Sequence, residues 1–102
     1  MSAFDDASLD ELRSGIDRID GAIVGLLAQR ARFVAQAARL KQDEAQIRAP
    51  QRVEAVIARA RALAENAGLD PDVVEPIYRT MIEAFIASEL EAFQQAGGAS
   101  CS

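Results

Sequence analysis

The chain of 102 residues has no histidine and no tryptophan, and its one cysteine, Cys101, stands in a run of Gly-Gly-Ala-Ser-Cys-Ser. Without histidine, a Ser-His-Asp hydrolase and a histidine-ligated zinc enzyme are both excluded, together with the usual general base at neutral pH. One cysteine closes no intrachain disulfide, and neither a thiol-ligated metal nor any other metal site is expected. No apolar run approaches the roughly 18 residues that span a bilayer. The first ten residues lack the basic start and apolar stretch of a secretory signal, so a cytoplasmic protein is expected. Basic charge is also short, 11 Lys and Arg against 16 Asp and Glu, for a net charge of −5. That balance speaks against nucleic acid or an anionic membrane as partner, since both reward a basic face. An anionic ligand would have to be caught by a local cluster. Gly-rich phosphate loops are absent, no stretch reads as a strand, and there is no internal repeat.

What is present is a helical pattern. Half the residues are hydrophobic and 26% are charged, the composition of a single folded domain. Ser8 followed by Glu11 is a capping box that opens a first helix. Behind it Leu9, Leu12, Ile16, Ile19, Ile23 and Leu26 recur at three-and-four spacing, and the stripe resumes at Phe33, Ala37 and Leu40. A helix from Ser8 to Lys41 would be about 50 Å long. A compact domain of this size is only about 35 to 40 Å across, so the helix overhangs it and its stripe needs a second chain. A break near Gly15, Gly21 or Gly25 is the alternative. A loop over 42–49 leads to Pro50, which opens a second helix carrying Val53, Val56, Ile57, Ala60, Leu63 and Ala64 on one face and ending at Gly68. Asp70 and Pro71 start a third, with Val74, Ile77, Tyr78, Met81, Ile82, Phe85, Ile86, Leu90 and Phe93 on a broad apolar face. The expected class is all-α, three helices with a long first one. The expected helical domain covers 8–95, between disordered termini at 1–7 and 96–102.

Polar residues on those apolar faces are the candidates for chemistry. Arg30 falls in the seam of the first helix where a leucine would fit. A permanently charged guanidinium buried there is strongly unfavourable unless something anionic meets it, either a protein carboxylate or an acidic ligand. Lys41, eleven residues on, returns to within about 20° of the same face and about 16 Å along the axis, where the two cations could clamp a small anion or Lys41 could simply be solvated. Arg13 is seventeen residues before Arg30, about 25 Å away, so the two can share a ligand only across an antiparallel partner. Otherwise Arg13 is a surface residue. Glu89 puts a carboxyl group on the apolar face of the third helix, as a hydrogen-bond donor if burial keeps it protonated, or as the partner of Arg30 in an internal ion pair.

These residues resemble a family. Leu12-Arg13, Ile16-Asp17-Arg18-Ile19-Asp20, Leu26-Leu27-Ala28-Gln29-Arg30 and Lys41 look like the first helix of the all-helical chorismate mutases. The similarity continues through Arg48-Ala49-Pro50-Gln51-Arg52-Val53 and Gly68-Leu69-Asp70 into the third helix. The resemblance implies an intertwined homodimer with two active sites, acting on a small dicarboxylate with no cofactor. It implies that Arg30 and the partner chain's copy of Arg13 bind the two carboxylates of chorismate, and that Lys41 hydrogen-bonds a carboxylate and the ether oxygen. In the Claisen rearrangement to prephenate, negative charge grows on that oxygen, and fixed donors there stabilise the transition state more than the substrate. Arg52 would contact substrate or face solvent. Phe85 would line the site.

The chain departs from the family pattern at three positions. Glu89 stands where glutamine is common, so its donation requires a proton, and activity should fall as pH rises through its titration. Val53 replaces a glutamate that accepts from the ring hydroxyl of chorismate, and Ala49 replaces another acid. The losses at Val53 and Ala49 resemble the isochorismate-pyruvate lyase branch of the fold, which forms salicylate and pyruvate. Mutase activity is the first reading and lyase activity the alternative. The pathway, aromatic amino acid biosynthesis or salicylate formation, stays open. A third reading is a non-catalytic helical dimer in which Arg30 and Glu89 pair and Lys41 is solvated.

Overall fold

A computed structural model describes residues 7–101, with side chains over 7–96. Its described residues form three long helices and one short one, with no strand among them, in agreement with the all-α expectation. The expected disordered termini fall in part on residues 1–6 and 102, outside the described residues, and the helical backbone runs on to Cys101. The chain divides into two compact units, Met1–Phe33 and Val34–Ser102.

The first unit is built on α1 (Leu9–Ala38), whose C-terminal turn belongs to the second. The capping box forms: the Glu11 N–H donates to Ser8 Oγ at 3.1 Å, with Asp10 and Glu11 in the first turn. The helix passes through Gly15, Gly21 and Gly25 without a break, and nothing lies within 4 Å of where a Cβ would stand at any of them. No residue of α1 is buried. Ile16, Ile19 and Leu26 are 55%, 61% and 61% exposed, so the stripe that the spacing marks as a buried face is bare in a single chain.

The helix also stops short of its expected end. The Leu40 and Lys41 N–H groups turn back to the Ala37 and Ala38 carbonyls at 3.0 and 3.1 Å, tightened i→i−3 bonds that close the last turn. Lys41 therefore lies beyond α1, and the phase that placed it on the face of Arg30 does not apply.

The second unit contains an element the pattern did not predict, α2 (Glu44–Arg48), within the expected loop. Asp43 caps it by accepting from the Gln46 N–H at 2.9 Å, and Ile47 is one of the five buried apolar residues among those described. Ala49 ends α2 in the left-handed region at φ 36° and immediately precedes Pro50, the first residue of α3 (Pro50–Ala67). A side chain in that conformation costs about 1 to 2 kcal/mol that glycine would not. Two bonds hold it: the Ala49 N–H donates to the Ala45 carbonyl, and the Ala49 carbonyl accepts from the Val53 N–H. Gly68, at φ 77°, caps α3, and the Leu69 N–H closes back to the Ala64 carbonyl at 2.8 Å. Asp70 then caps α4 (Pro71–Cys101) by accepting from the Asp72 N–H.

The core of this unit is Ile47 from α2, Ile57, Ala60 and Ala64 from α3, and Ile82 from α4. Two residues expected on the packed faces stay outside it, Leu63 at 51% and Ile77 at 58% exposure. They sit about 120° and 140° around their helices from Ile57 and Ile82, at the edges of their stripes, where α3 and α4 no longer meet.

Ion pairs tie α3 to α4. Arg79 bridges both carboxylate oxygens of Glu54 at 2.9 and 3.0 Å and binds Glu75 at 2.9 Å, while Arg61 reaches Asp72 and Glu75 at 3.0 Å each. The Arg79 guanidinium holds the Glu54 carboxyl below its ordinary range. Arg79 and then Arg61 do the same for Glu75, with partial burial opposing. The guanidinium groups are held charged in return, Arg79 by Glu54 and Glu75, Arg61 mainly by Asp72.

Candidate active site

Lys41 and Glu89, 48 residues apart, meet in the second unit. The Lys41 ammonium donates to Glu89 Oε2 at 2.9 Å, a contact in which the glutamate side chain is only 9% exposed and the lysine 25%. The local reason is visible on both sides. The closing turn of α1 releases the chain so that Lys41 approaches α4 from a link, and α2, plugged into the core by Ile47, packs against α4 beyond that link. On α4, Glu89 follows Ile82 and Ile86 by seven and three residues and shares their inward face.

Val53, in the first turn of α3, is half-buried and lines an open cleft of about 490 Å³ with Arg48, Pro50, Glu54, Ile86 and Leu90. Arg52 beside it is exposed, and Phe85 is half-buried on α4 one turn before Glu89. Arg30 is half-buried and Arg13 exposed on α1 in the first unit. Seventeen residues of helix keep these two about 25 Å apart along the axis, too far for both to hold one small ligand from the same chain.

The second unit thus joins Lys41 to Glu89 but leaves Arg52 in solvent. In this contact Lys41 donates and Glu89 Oε2 accepts, a partner for Glu89 that the sequence did not indicate. Arg48, which stands in the run that carries the family resemblance, and Glu83 also line the cleft, yet neither was picked out as a site residue, since exposed charges carry no periodic signal. The i,i+4 pair of Glu75 and Arg79 was legible as spacing, whereas the reach of Arg79 across to Glu54 was not. Among the described residues no group of three or more Asp, Glu or Cys is placed to hold a metal ion.

Residues 12–90 match the family described as chorismate mutase type II. An isochorismate pyruvate lyase of Pseudomonas aeruginosa is 39% identical over 95 residues, covering 93% of this chain and 94% of that protein. The T-proteins of Haemophilus influenzae and Enterobacter agglomerans are 35% and 34% identical over 83 and 84 residues. The chain spans 22% of the length of each T-protein. The family match extends over most of the chain and over all three long helices, so the chain belongs to the type II chorismate mutase family. It is an enzyme of that all-helical class.

Proposed function

We propose that the chain is a chorismate mutase that rearranges chorismate to prephenate by electrostatic stabilisation alone. The observation that carries the reading is the contact of Lys41 with Glu89, which gathers at one half-buried point the two groups assigned to the ether oxygen. As the C–O bond breaks, the oxygen gains negative charge, and the Lys41 ammonium and a protonated Glu89 would donate to it more strongly than to the neutral ether of the substrate. Arg30 and the partner's Arg13 would take the two carboxylates and hold the enolpyruvyl arm over the ring, which removes the orientational freedom that slows the reaction in water. Val53 and Phe85 would supply apolar walls, with Arg52 at the rim. The bare stripe of α1 supports a homodimer, because apolar residues exposed at this density call for a covering partner. A cytoplasmic setting fits the absence, among the described residues, of any helix long and apolar enough to cross a membrane.

A second reading, isochorismate-pyruvate lyase, is favoured by the relative of that name matching over nearly its whole length and by valine at position 53. Elimination of pyruvate also places charge on the ether oxygen, so the same cations serve it. The non-catalytic reading is weaker, because the Lys41 it leaves solvated is instead paired with Glu89.

The deciding experiment gives purified protein chorismate and isochorismate separately and follows the products by chromatography. Prephenate from chorismate with little salicylate from isochorismate is the expected result. Predominant salicylate and pyruvate would make the chain a lyase, and neither product would return it to a structural dimer.

A further inference from the structure

We propose that the open cleft beside the first turn of α3 is a second binding site, one that takes a zwitterionic α-amino acid with a branched aliphatic side chain. Its volume of about 490 Å³ lies within the range of small-molecule pockets. The cleft is separate from the contact of Lys41 with Glu89, neither of which lines it. On α4, its residues Glu83, Ile86, Ala87 and Leu90 stand about 40° to 140° around the axis from the buried Ile82. Phe85 and Glu89 stand about 20° to 60° from Ile82 in the other direction. Of the residues assigned to the substrate, Val53 alone borders the cleft. The inference therefore does not depend on which reaction the chain catalyses.

The charges around the cleft decide what fits it. Glu54 has both oxygens on Arg79, at 2.9 and 3.0 Å, so its charge is already answered. That leaves one guanidinium, Arg48, and one carboxylate, Glu83. Both side chains are exposed, and neither has an ion pair or hydrogen bond among the described residues. The pairs of Glu54 with Arg79 and of Asp72 with Arg61 set α3 and α4 antiparallel, in a register that puts Glu83 level with Pro50. Pro50 follows Arg48 directly after the Ala49 turn, so two unlike charges border one stretch of the cleft without meeting. A simple anion drawn to Arg48 is repelled by Glu83, and a simple cation meets the reverse. A zwitterion answers both, its carboxylate on the planar fork of Arg48 and its ammonium on the oxygens of Glu83.

The remaining wall is apolar and aliphatic. Pro50, Val53, Ile86, Ala87 and Leu90 offer no side-chain donor or acceptor and no aromatic ring. A branched aliphatic side chain gains contact there, whereas a polar one would give up water for nothing. A free amino acid fits better than a peptide, because a peptide holds its ammonium and carboxylate apart while Arg48 and Glu83 stand together.

The test titrates isotope-labelled protein with L-leucine and follows backbone amide shifts by nuclear magnetic resonance. Saturable shifts should gather at Arg48, Val53, Glu54, Glu83 and Ala87 and leave Arg30 and Lys41 unmoved. Isocaproate, which lacks the ammonium, and isoamylamine, which lacks the carboxylate, should each bind about tenfold more weakly, because each loses one charge-assisted contact. Arg48→Gln and Glu83→Gln, both at exposed positions, should each weaken L-leucine by about the same factor. Equal binding of the three compounds would overturn the zwitterion site and leave an apolar cleft. Affinity unchanged in both variants would overturn the assignment of the two charges. No saturable shift, or shifts centred on Lys41, would overturn the second site altogether. None of these results bears on the proposed rearrangement, which is read from its products.

Discussion

The two units of this chain solve the problem of apolar surface in opposite ways. In the second, α2, α3 and α4 turn their apolar residues on one another around Ile57, Ala60, Ala64 and Ile82, and ion pairs link α3 to α4. In the first, α1 carries an equally regular stripe and covers none of it. A periodic apolar pattern thus says that a face must be covered, without saying by which molecule. The difference between intramolecular and intermolecular burial lies in geometry, because α1 alone is about 45 Å long, more than the breadth of about 35 to 40 Å expected of a compact domain of this size.

That contrast can be broken first at the stripe. Ile19→Asp places a carboxylate on the bare face of α1 and should abolish dimers in sedimentation and activity by at least about 100-fold, since an unpaired charge in an apolar contact is so unfavourable. A dimer that survives would move the partner to another face. Arg13→Ala and Arg30→Ala should each lose activity by about 100-fold or more, as removal of a fixed transition-state donor does. Mixed and allowed to exchange chains, the two inactive proteins should recover about a quarter of wild-type activity, because half the dimers would be hybrids and each hybrid holds one intact site. No recovery would mean that each site draws both arginines from one chain.

Inside the second unit the effects are those of an ordinary core. Ile57→Ala should lower unfolding free energy by about 2 to 4 kcal/mol in chemical denaturation while the dimer contact stays intact. Ala49→Gly should act in the other direction, raising it by about 0.5 to 1 kcal/mol, as relief of the left-handed strain outweighs the added freedom of the unfolded chain. A loss there would show that the alanine methyl packs more than it strains.

The smallest effect concerns acid. Glu54 and Glu75 are held below the ordinary carboxyl value of 4.5 by Arg79. Their contribution is therefore present above about pH 4.5 and is lost as pH falls through their lowered folded values. Arg79→Gln should flatten that acid limb of a melting-temperature profile and change little at neutral pH. An unchanged acid limb would show that these exposed pairs add nothing measurable.

Much of the architecture was legible because its punctuation is local. Ser8 with Glu11, Pro50, Gly68 and Asp70 with Pro71 each act through a bond or a dihedral angle within a few residues, and each boundary they mark is where a helix starts or stops. What escaped the sequence depends on distant company. The short α2 has no periodicity of its own and exists where Asp43 caps it and Ile47 finds the core. Ala49 is not a turn residue by preference, and only the joining of two helices forces it left-handed. The end of α1 at Ala38 carries no stop residue, so its phase was extended too far, to Lys41, and the contact of Lys41 with Glu89 went unforeseen. Arg30, Lys41, Arg13 and Glu89 stood out by their helix positions and Arg52, Val53 and Phe85 came with the family pattern, and two of these seven are joined by a bond that no spacing predicts.

The continuity of α1 across Phe33 and Val34 has a consequence for how the protein is made. A ribosome delivers the stripe of α1 before the helices of the second unit, and chains emerge at only about 5 to 20 residues per second. For several seconds, then, the nascent polypeptide carries the apolar stripe of α1 before the second unit exists. Nascent chains on one message are held close together, and a sister copy is the nearest molecule with a matching face. In the proposed homodimer, pairing during translation would shield this helix sooner than pairing after release.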